Sequence, residues 1–273
     1  MNISDNNTTF LTVAAWPNWH EKIDVFLRSA KKQGLEIELL DCGEKWQGYY
    51  HHKIRRLHDR LTGWQKERPY LKYVVFTDAR DVVFIKNRRE IFSLLVDADD
   101  EKVLFALDNK LRTWPFTRIW FAHRIALKFG NDGILNSGCY VGRIDRVLEL
   151  LSECKRLHEV LCTGKVKPAT IEGMLHAEIR PEHLNSDQFH LHAVQALWSD
   201  LIAVDVERRV FACFKGGFPL IKTAPELGSN GEMPLGTAGI LHSPWMLHRD
   251  EKVPEAKDAW RHWALNEGII EEY

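Results

Sequence analysis

Asp78 and Asp81 stand three positions apart, directly after the apolar run Tyr73-Val74-Val75-Phe76-Thr77, and a second apolar run, Val82-Val83-Phe84, follows at once. The first run, rich in β-branched and aromatic residues, reads as a fully buried strand of a parallel sheet. Ligands of open α/β sheets gather at the carboxyl ends of such strands. Two carboxylates held together there repel each other unless a cation neutralises them. An all-oxygen pair suits Mg²⁺ or Mn²⁺, and such an ion in turn suits a diphosphate. The competing reading is plainer: Asp78 caps a turn and Asp81 is solvated.

The other titratable residues form no better constellation. His51 and His52 are adjacent and cannot both face one metal from a regular helix. His190 and His192 lie two apart, wrong for one helical face though feasible on a strand. Asp97, Asp99, Asp100 and Glu101 read as a solvated acidic loop. Asp187 opens a predicted helix, where an N-cap role accounts for a carboxylate without any chemistry. The chain has no P-loop, no G-x-S-x-G and no Cys/His nucleophile motif.

These residues need elements to position them. Phe10–Ala15 reads as a first buried strand. Asn18 and Glu21 have capping-box spacing, and Trp19, Ile23, Phe26, Leu27 and Ala30 recur at helical intervals up to Gly34. Leu35, Ile37 and Leu39 alternate as a second strand. A helix with Ile54, Leu57, Leu61 and Trp64 inward leads to the aspartate-bearing strand. Asn87 and Glu90 open another helix, and Val103–Leu107 is a further strand. This β-α-β-α-β order predicts an α/β fold with a mostly parallel, doubly wound sheet. Leu111–Phe121 reads as an aromatic surface flap or packed loop, and Leu135–Gly142 as a strand interrupted by small polar residues. A long helix is expected from Asp145 to about Leu161, another from Asn185, and a strand over Leu201–Val204 with Val210–Phe211 beside it. Gly216–Gly239 reads as a loop or lid, Gly239–His242 as a last short strand, and Trp260–Leu265 as part of a C-terminal helix.

Composition narrows the class. The 273 residues are 45% hydrophobic and 27% charged with a net charge of -1, so no bulk field points to nucleic acid or an anionic membrane. No apolar stretch approaches the ~20 residues that span a bilayer, and Met1–Thr9 lacks the layout of a signal peptide. A cytoplasmic location is expected from these features. Five scattered cysteines, never spaced C-x-x-C, argue against a disulfide framework or a structural zinc site. Several of the ten tryptophans sit beside polar residues, as they would around a sugar or a flat base.

Four blocks, taken in order, resemble the GT-A nucleotide-sugar glycosyltransferases, and most closely the glycosyltransferase domain of procollagen lysyl hydroxylases and related collagen glycosyltransferases. They are Thr12-Val13-Ala14, Phe76-Thr77-Asp78-Ala79-Arg80-Asp81, Leu135-Asn136-Ser137-Gly138, and Ser186-Asp187-Gln188 followed by Asp205 and Phe211. The resemblance covers roughly residues 10–250 and implies one GT-A domain over 1–273, with a C-terminal helical tail at 251–273. It implies Mn²⁺, with Mg²⁺ as the alternative, on Asp78, Asp81 and His242. It places Thr12, Val13 and Ala14 under the uridine, with Trp46, Lys53 and Thr77 lining the donor site. Asn136, Ser137 and Gly138 would face the donor sugar, and Asp187 and Gln188 would contact sugar or acceptor. If the reaction inverts, Asp187 is the general-base candidate. The chain departs from the family pattern in two places: Ser243-Pro244-Trp245 follows His242 where relatives carry a Gly-rich stretch, and Arg80 replaces an aromatic residue.

The expectation is therefore a metal-dependent enzyme that transfers a hexose from a UDP-sugar to a hydroxyl of a glycan, protein or small molecule, with neither nucleic acid nor a transmembrane segment involved. Two rivals remain open from sequence. One is a nucleotidyltransferase or metal-dependent phosphohydrolase, for which Ala15-Trp16-Pro17 is a poor phosphate loop. The other is a non-catalytic nucleotide- or carbohydrate-binding module.

Overall fold

The computed structural model describes residues 1–108, 123–129, 133–165, 170, 172–173, 176, 179, 181–197, 199–213, 238–242, 255–266 and 268–271. The flap expected over 111–121 and nearly all of the expected lid over 216–239 lie outside these residues. The main sheet is built from β1 (Thr8–Val13), β2 (Ile37–Leu40), β3 (Tyr73–Thr77), β5 (Val103–Leu107), β6 (Leu135–Arg143) and β7 (Ile202–Asp205), in the order β2-β1-β3-β6-β5-β7. Every pairing is parallel except those of β6, which runs antiparallel to β3 on one side and β5 on the other. The sheet is thus mostly parallel and flanked by helices, as the pattern of elements predicts.

Alternation along the strands divides the core between the two faces. Leu11, Val13, Val74, Phe76, Val103 and Phe105 meet α3 (Leu57–Glu67), α5 (Ile144–Thr163) and α7 (Asp187–Leu197) through Leu57, Leu61, Trp64, Leu151, Leu191 and Val194. Phe10, Val75 and Val141 face the other way, onto Phe26 and Ala30 of α2 (Asp24–Lys32) and Ile91 of α4 (Arg88–Leu94). Because both faces are covered, β3 is buried at every position, which is why it reads as an unbroken apolar run. Removing one fully buried ring such as Phe76 from this layer costs about 3–5 kcal/mol.

A second, three-stranded sheet joins β4 (Val82–Phe84), β9 (Ile240–His242) and β8 (Phe211–Cys213), in the order β4-β9-β8. Here the structure corrects one expectation: Val210–Phe211 does not pair beside β7. The Asp205 carboxylate accepts hydrogen bonds from the backbone N–H groups of Arg209, Val210 and Phe211 at 3.1, 2.7 and 2.9 Å, which turns the chain out of the main sheet. The capping box expected at Asn18 is also absent. Asn18 makes no side-chain cap, and α1 (Trp19–Lys22) breaks at Ile23 before α2 begins. The box forms instead at Asn87 and Glu90, which cap α4 reciprocally.

The segment Tyr50–Arg56 ahead of α3 is π-helical rather than α-helical, and it buries His52, Lys53 and Ile54 in succession. Such turns are frequent at functional sites. At the C-terminal end, α6 (Pro181–Leu184) precedes α7, and α8 (Glu255–Asn266) is the last helix. All five cysteines are free. Among the described residues no helix is long and apolar enough to cross a membrane.

Candidate active site

The three groups proposed as metal ligands come from three chain segments. Asp78 follows the last residue of β3, and Asp81 precedes the first of β4. The antiparallel register of β4 and β9 sets Val82 opposite His242, which brings the imidazole beside Asp81. Ligand atoms of Asp78, Asp81 and His242 lie within 4.8 Å of one another. His242 Nε2 is 3.4 Å from Asp81 Oδ1 and 3.8 Å from Asp78 Oδ2. It makes no hydrogen bond of good geometry among the described residues, although it is buried. Two carboxylates and a buried, unsatisfied imidazole nitrogen fit a divalent cation of borderline softness such as Mn²⁺.

The backbone of β6 closes over this cluster. A Cβ on Gly138 would lie 2.2 Å from His242 Cε1 and 2.8 Å from Asp78 Oδ2, so only glycine fits. The strand is pinned there: Asp78 N donates to the Gly138 carbonyl at 2.6 Å, and Gly138 N donates to Asn136 Oδ1 at 2.8 Å. Asn136 Nδ2 in turn donates to Asp108 Oδ2 at 3.3 Å. Asp108 is buried just past the end of β5 and was not singled out from sequence. The signal for it was a strand-terminal carboxylate resembling Asp78 in its placement.

Electrostatics tie the cluster to Asp187. Lys53 Nζ lies 2.5 Å from Asp78 Oδ1 and 3.2 Å from Asp187 Oδ2. Burial works against the ammonium charge, but Asp187 and Asp78 outweigh it and hold Lys53 well above its usual range. Burial raises the Asp78 carboxyl, with Lys53 opposing. At Asp81 burial also disfavours the charge, yet His242 outweighs it and keeps this carboxyl below the usual range. For His242, burial disfavours protonation while Cys139 and Asp81 favour it, and the net shift is well upward. A proton and a metal therefore compete for the same nitrogen.

Asp187 is not the cap of α7. Ser186 Oγ accepts the Phe189 N–H at 3.2 Å and fills that role, which leaves the Asp187 carboxylate turned to Lys53. Gln188 braces β6 where it bulges away from β5: its Oε1 accepts from Ser137 N at 2.8 Å, and its Nε2 donates to the Leu135 carbonyl at 2.8 Å. The amide of Gln188 is thus engaged by the strand.

On the other flank, Thr12 Oγ1 donates to the Thr77 carbonyl at 2.6 Å, clamping the ends of β1 and β3 together next to Asp78. Val13 and Ala14 are buried, and Ala14 N donates to the Leu40 carbonyl at 2.8 Å. Trp46 stacks on Trp16 at 5.6 Å and on His52 at 4.9 Å, and it meets Tyr49 edge-on at 5.0 Å. Lys53 Nζ sits 5.2 Å from the centre of the Tyr49 ring. The Arg80 guanidinium lies 5.8 Å from the centre of the Trp16 ring. The loop that carries Trp46 is held by an ion cluster that sequence reasoning missed, its Asp41 and His52 buried and its Glu44 and Arg56 partly exposed. His52 Nδ1 donates to Asp41 Oδ2 at 2.6 Å, Gln47 N donates to His52 Nε2 at 3.1 Å, and Arg56 bonds both Asp41 and Glu44 at 2.9 Å. Asp41, Glu44 and His52 are close enough together to hold an ion. The Arg56 guanidinium already neutralises these carboxylates, so the cluster serves as a brace.

Asp78, Asp81, His242, Gly138, Lys53 and Asp187 thus meet beyond the carboxyl end of β3, with Thr12 clamped to Thr77 beside them. A family model described as the PLOD GT domain matches residues 4–159, more than half of the chain. The chain belongs to the PLOD GT domain family. This PLOD GT domain is a GT-A-like domain of glycosyltransferase type. Procollagen-lysine,2-oxoglutarate 5-dioxygenase of Drosophila melanogaster is 27% identical to it over 154 residues, 49% of this chain and 20% of the relative. The alignment therefore spans about a fifth of that protein's length. Among solved structures, a glycosyltransferase involved in the glycosylation of the major capsid of PBCV-1 aligns with a TM-score of 0.45 at 11% identity, covering 94% of this chain and 98% of that one.

Proposed function

We propose that this glycosyltransferase domain transfers a hexose from a UDP-sugar to an acceptor hydroxyl and depends on Mn²⁺ held by Asp78, Asp81 and His242. The observation that carries the reading is the convergence of those three side chains under the Gly138 backbone, with His242 Nε2 buried and unsatisfied. When bound, the ion supplies positive charge for the diphosphate leaving group. The chain's own residues do the rest. The clamped ends of β1 and β3 present the nucleotide platform, with the stacked pair Trp16 and Trp46 beside it. Lys53 adds a fixed cation between Asp78 and Asp187, placed to favour developing negative charge. Asn136 is oriented by Asp108 and the Gly138 N–H to meet sugar hydroxyls. Asp187 is the carboxylate assigned to the transferred sugar or the acceptor proton. We assign the whole of 1–273 to one such domain.

Titration calorimetry with UDP tests the metal requirement. UDP affinity is expected to fall at least about tenfold in EDTA, or ~1.4 kcal/mol, and Asp81→Ala should lose the metal dependence. Equal affinity with and without Mn²⁺ removes the reading. In a thermal-shift series, UDP with Mn²⁺ should stabilise the protein more than ADP, GDP or CDP does. Equal or greater stabilisation by ADP favours a nucleotidyltransferase.

A further inference from the structure

We propose that Cys213 is a positioning residue for His242: its sulfur accepts the Nδ1 proton and so turns the Nε2 lone pair toward Asp78 and Asp81. This rests on reading those three residues as a metal site. Cys213 and His242 are register partners on the parallel strands β8 and β9. The Sγ–Nδ1 separation is 4.0 Å, and both residues are buried. The ring edge that runs Nδ1–Cε1–Nε2 is therefore confined along its length. Cys213 faces the first nitrogen, the bare Gly138 backbone packs on the carbon, the aspartates face the second nitrogen, and the buried Cys139 thiol also bears on the ring. A ring flip would exchange Nε2 for a carbon and leave the carboxylates without their third partner. Ligating histidines are held in one tautomer by the partner of their other nitrogen, and that partner usually carries oxygen. Here the partner is a thiol, a weak acceptor with a large radius that suits the longer separation.

The test uses Mn²⁺ alone, titrated by calorimetry into the parent, Cys213→Val and Cys213→Ser, with melting temperatures recorded in parallel. Valine fills the buried space with one heavy atom more than the thiol and loses the acceptor, whereas serine keeps a polar partner. Cys213→Val is expected to bind Mn²⁺ about tenfold more weakly, with Cys213→Ser within about threefold of the parent, in line with losses on removing such supporting groups. Parental affinity in a folded Cys213→Val, while Asp81→Ala abolishes binding, overturns the role of Cys213 alone. No Mn²⁺ binding by the parent, or parental binding by Asp81→Ala, overturns the metal reading and this proposal with it. A measurement on the parent protein stands apart from how the variants fold. Long-range ¹H–¹⁵N NMR of the His242 ring with Mg²⁺ should show the proton on Nδ1, and a proton on Nε2 in its place overturns the proposal.

Discussion

Gly138→Ala is expected to abolish Mn²⁺-dependent binding and turnover while leaving a folded protein. A methyl group there would sit 2.2 Å from His242 Cε1 and 2.8 Å from Asp78 Oδ2, inside any tolerable contact distance. Relief by moving β6 is blocked on the β3 side. The strand is paired residue by residue with β3, and the Gly138 N–H and C=O are both engaged, by Asn136 and Asp78. The buried His242 ring or the Asp78 carboxylate must move instead, and either shift dismantles the ligand set. Overpacking of this kind costs about 1–3 kcal/mol of stability, a fraction of what a domain of this size holds. Calorimetry with Mn²⁺, a donor-hydrolysis assay and a melting curve check the three parts separately. Parental metal affinity in Gly138→Ala would show that the cluster under β6 is not the metal centre.

Asp187→Asn is the second substitution with a large expected effect: transfer falls by about 10²–10⁴ with a melting temperature close to the parent's. The amide preserves the shape of the side chain but neither carries the charge nor accepts a proton at working pH. Two features keep the fold intact. Ser186, not Asp187, caps α7, and Lys53 keeps Asp78 as an ion partner. Donor hydrolysis gives a readable activity before the acceptor is identified. Should Asp187→Asn hydrolyse the donor and transfer at the parental rate, the carboxylate serves only to hold Lys53.

The sequence by itself determined the layered α/β class, because the strand signal comes from local periodicity and fully buried strands are continuous apolar runs. Phe10–Val13 and Tyr73–Thr77 are legible for that reason, as is the carboxylate pair that ends β3. The four ordered blocks also carried the family resemblance, since they are contiguous stretches. Tertiary structure decided what depends on register and on distant partners. That His242 reaches Asp81 follows from Val82 pairing with His242 across some 160 residues, which no local pattern encodes. The exit of β8 into a separate sheet depends on one Asp205 side chain capping three N–H groups, and an aspartate in a turn reads the same way whether or not it does so. Capping at the start of α7 went to Ser186 because the buried Lys53 charge drew the neighbouring carboxylate inward. The roles of Asp108, Cys213 and the Asp41–His52–Arg56 brace could not be assigned from sequence for the same physical reason. Each acts through a partner brought near only when the sheet assembles, and burial then makes every unpaired charge or donor costly enough to fix its geometry.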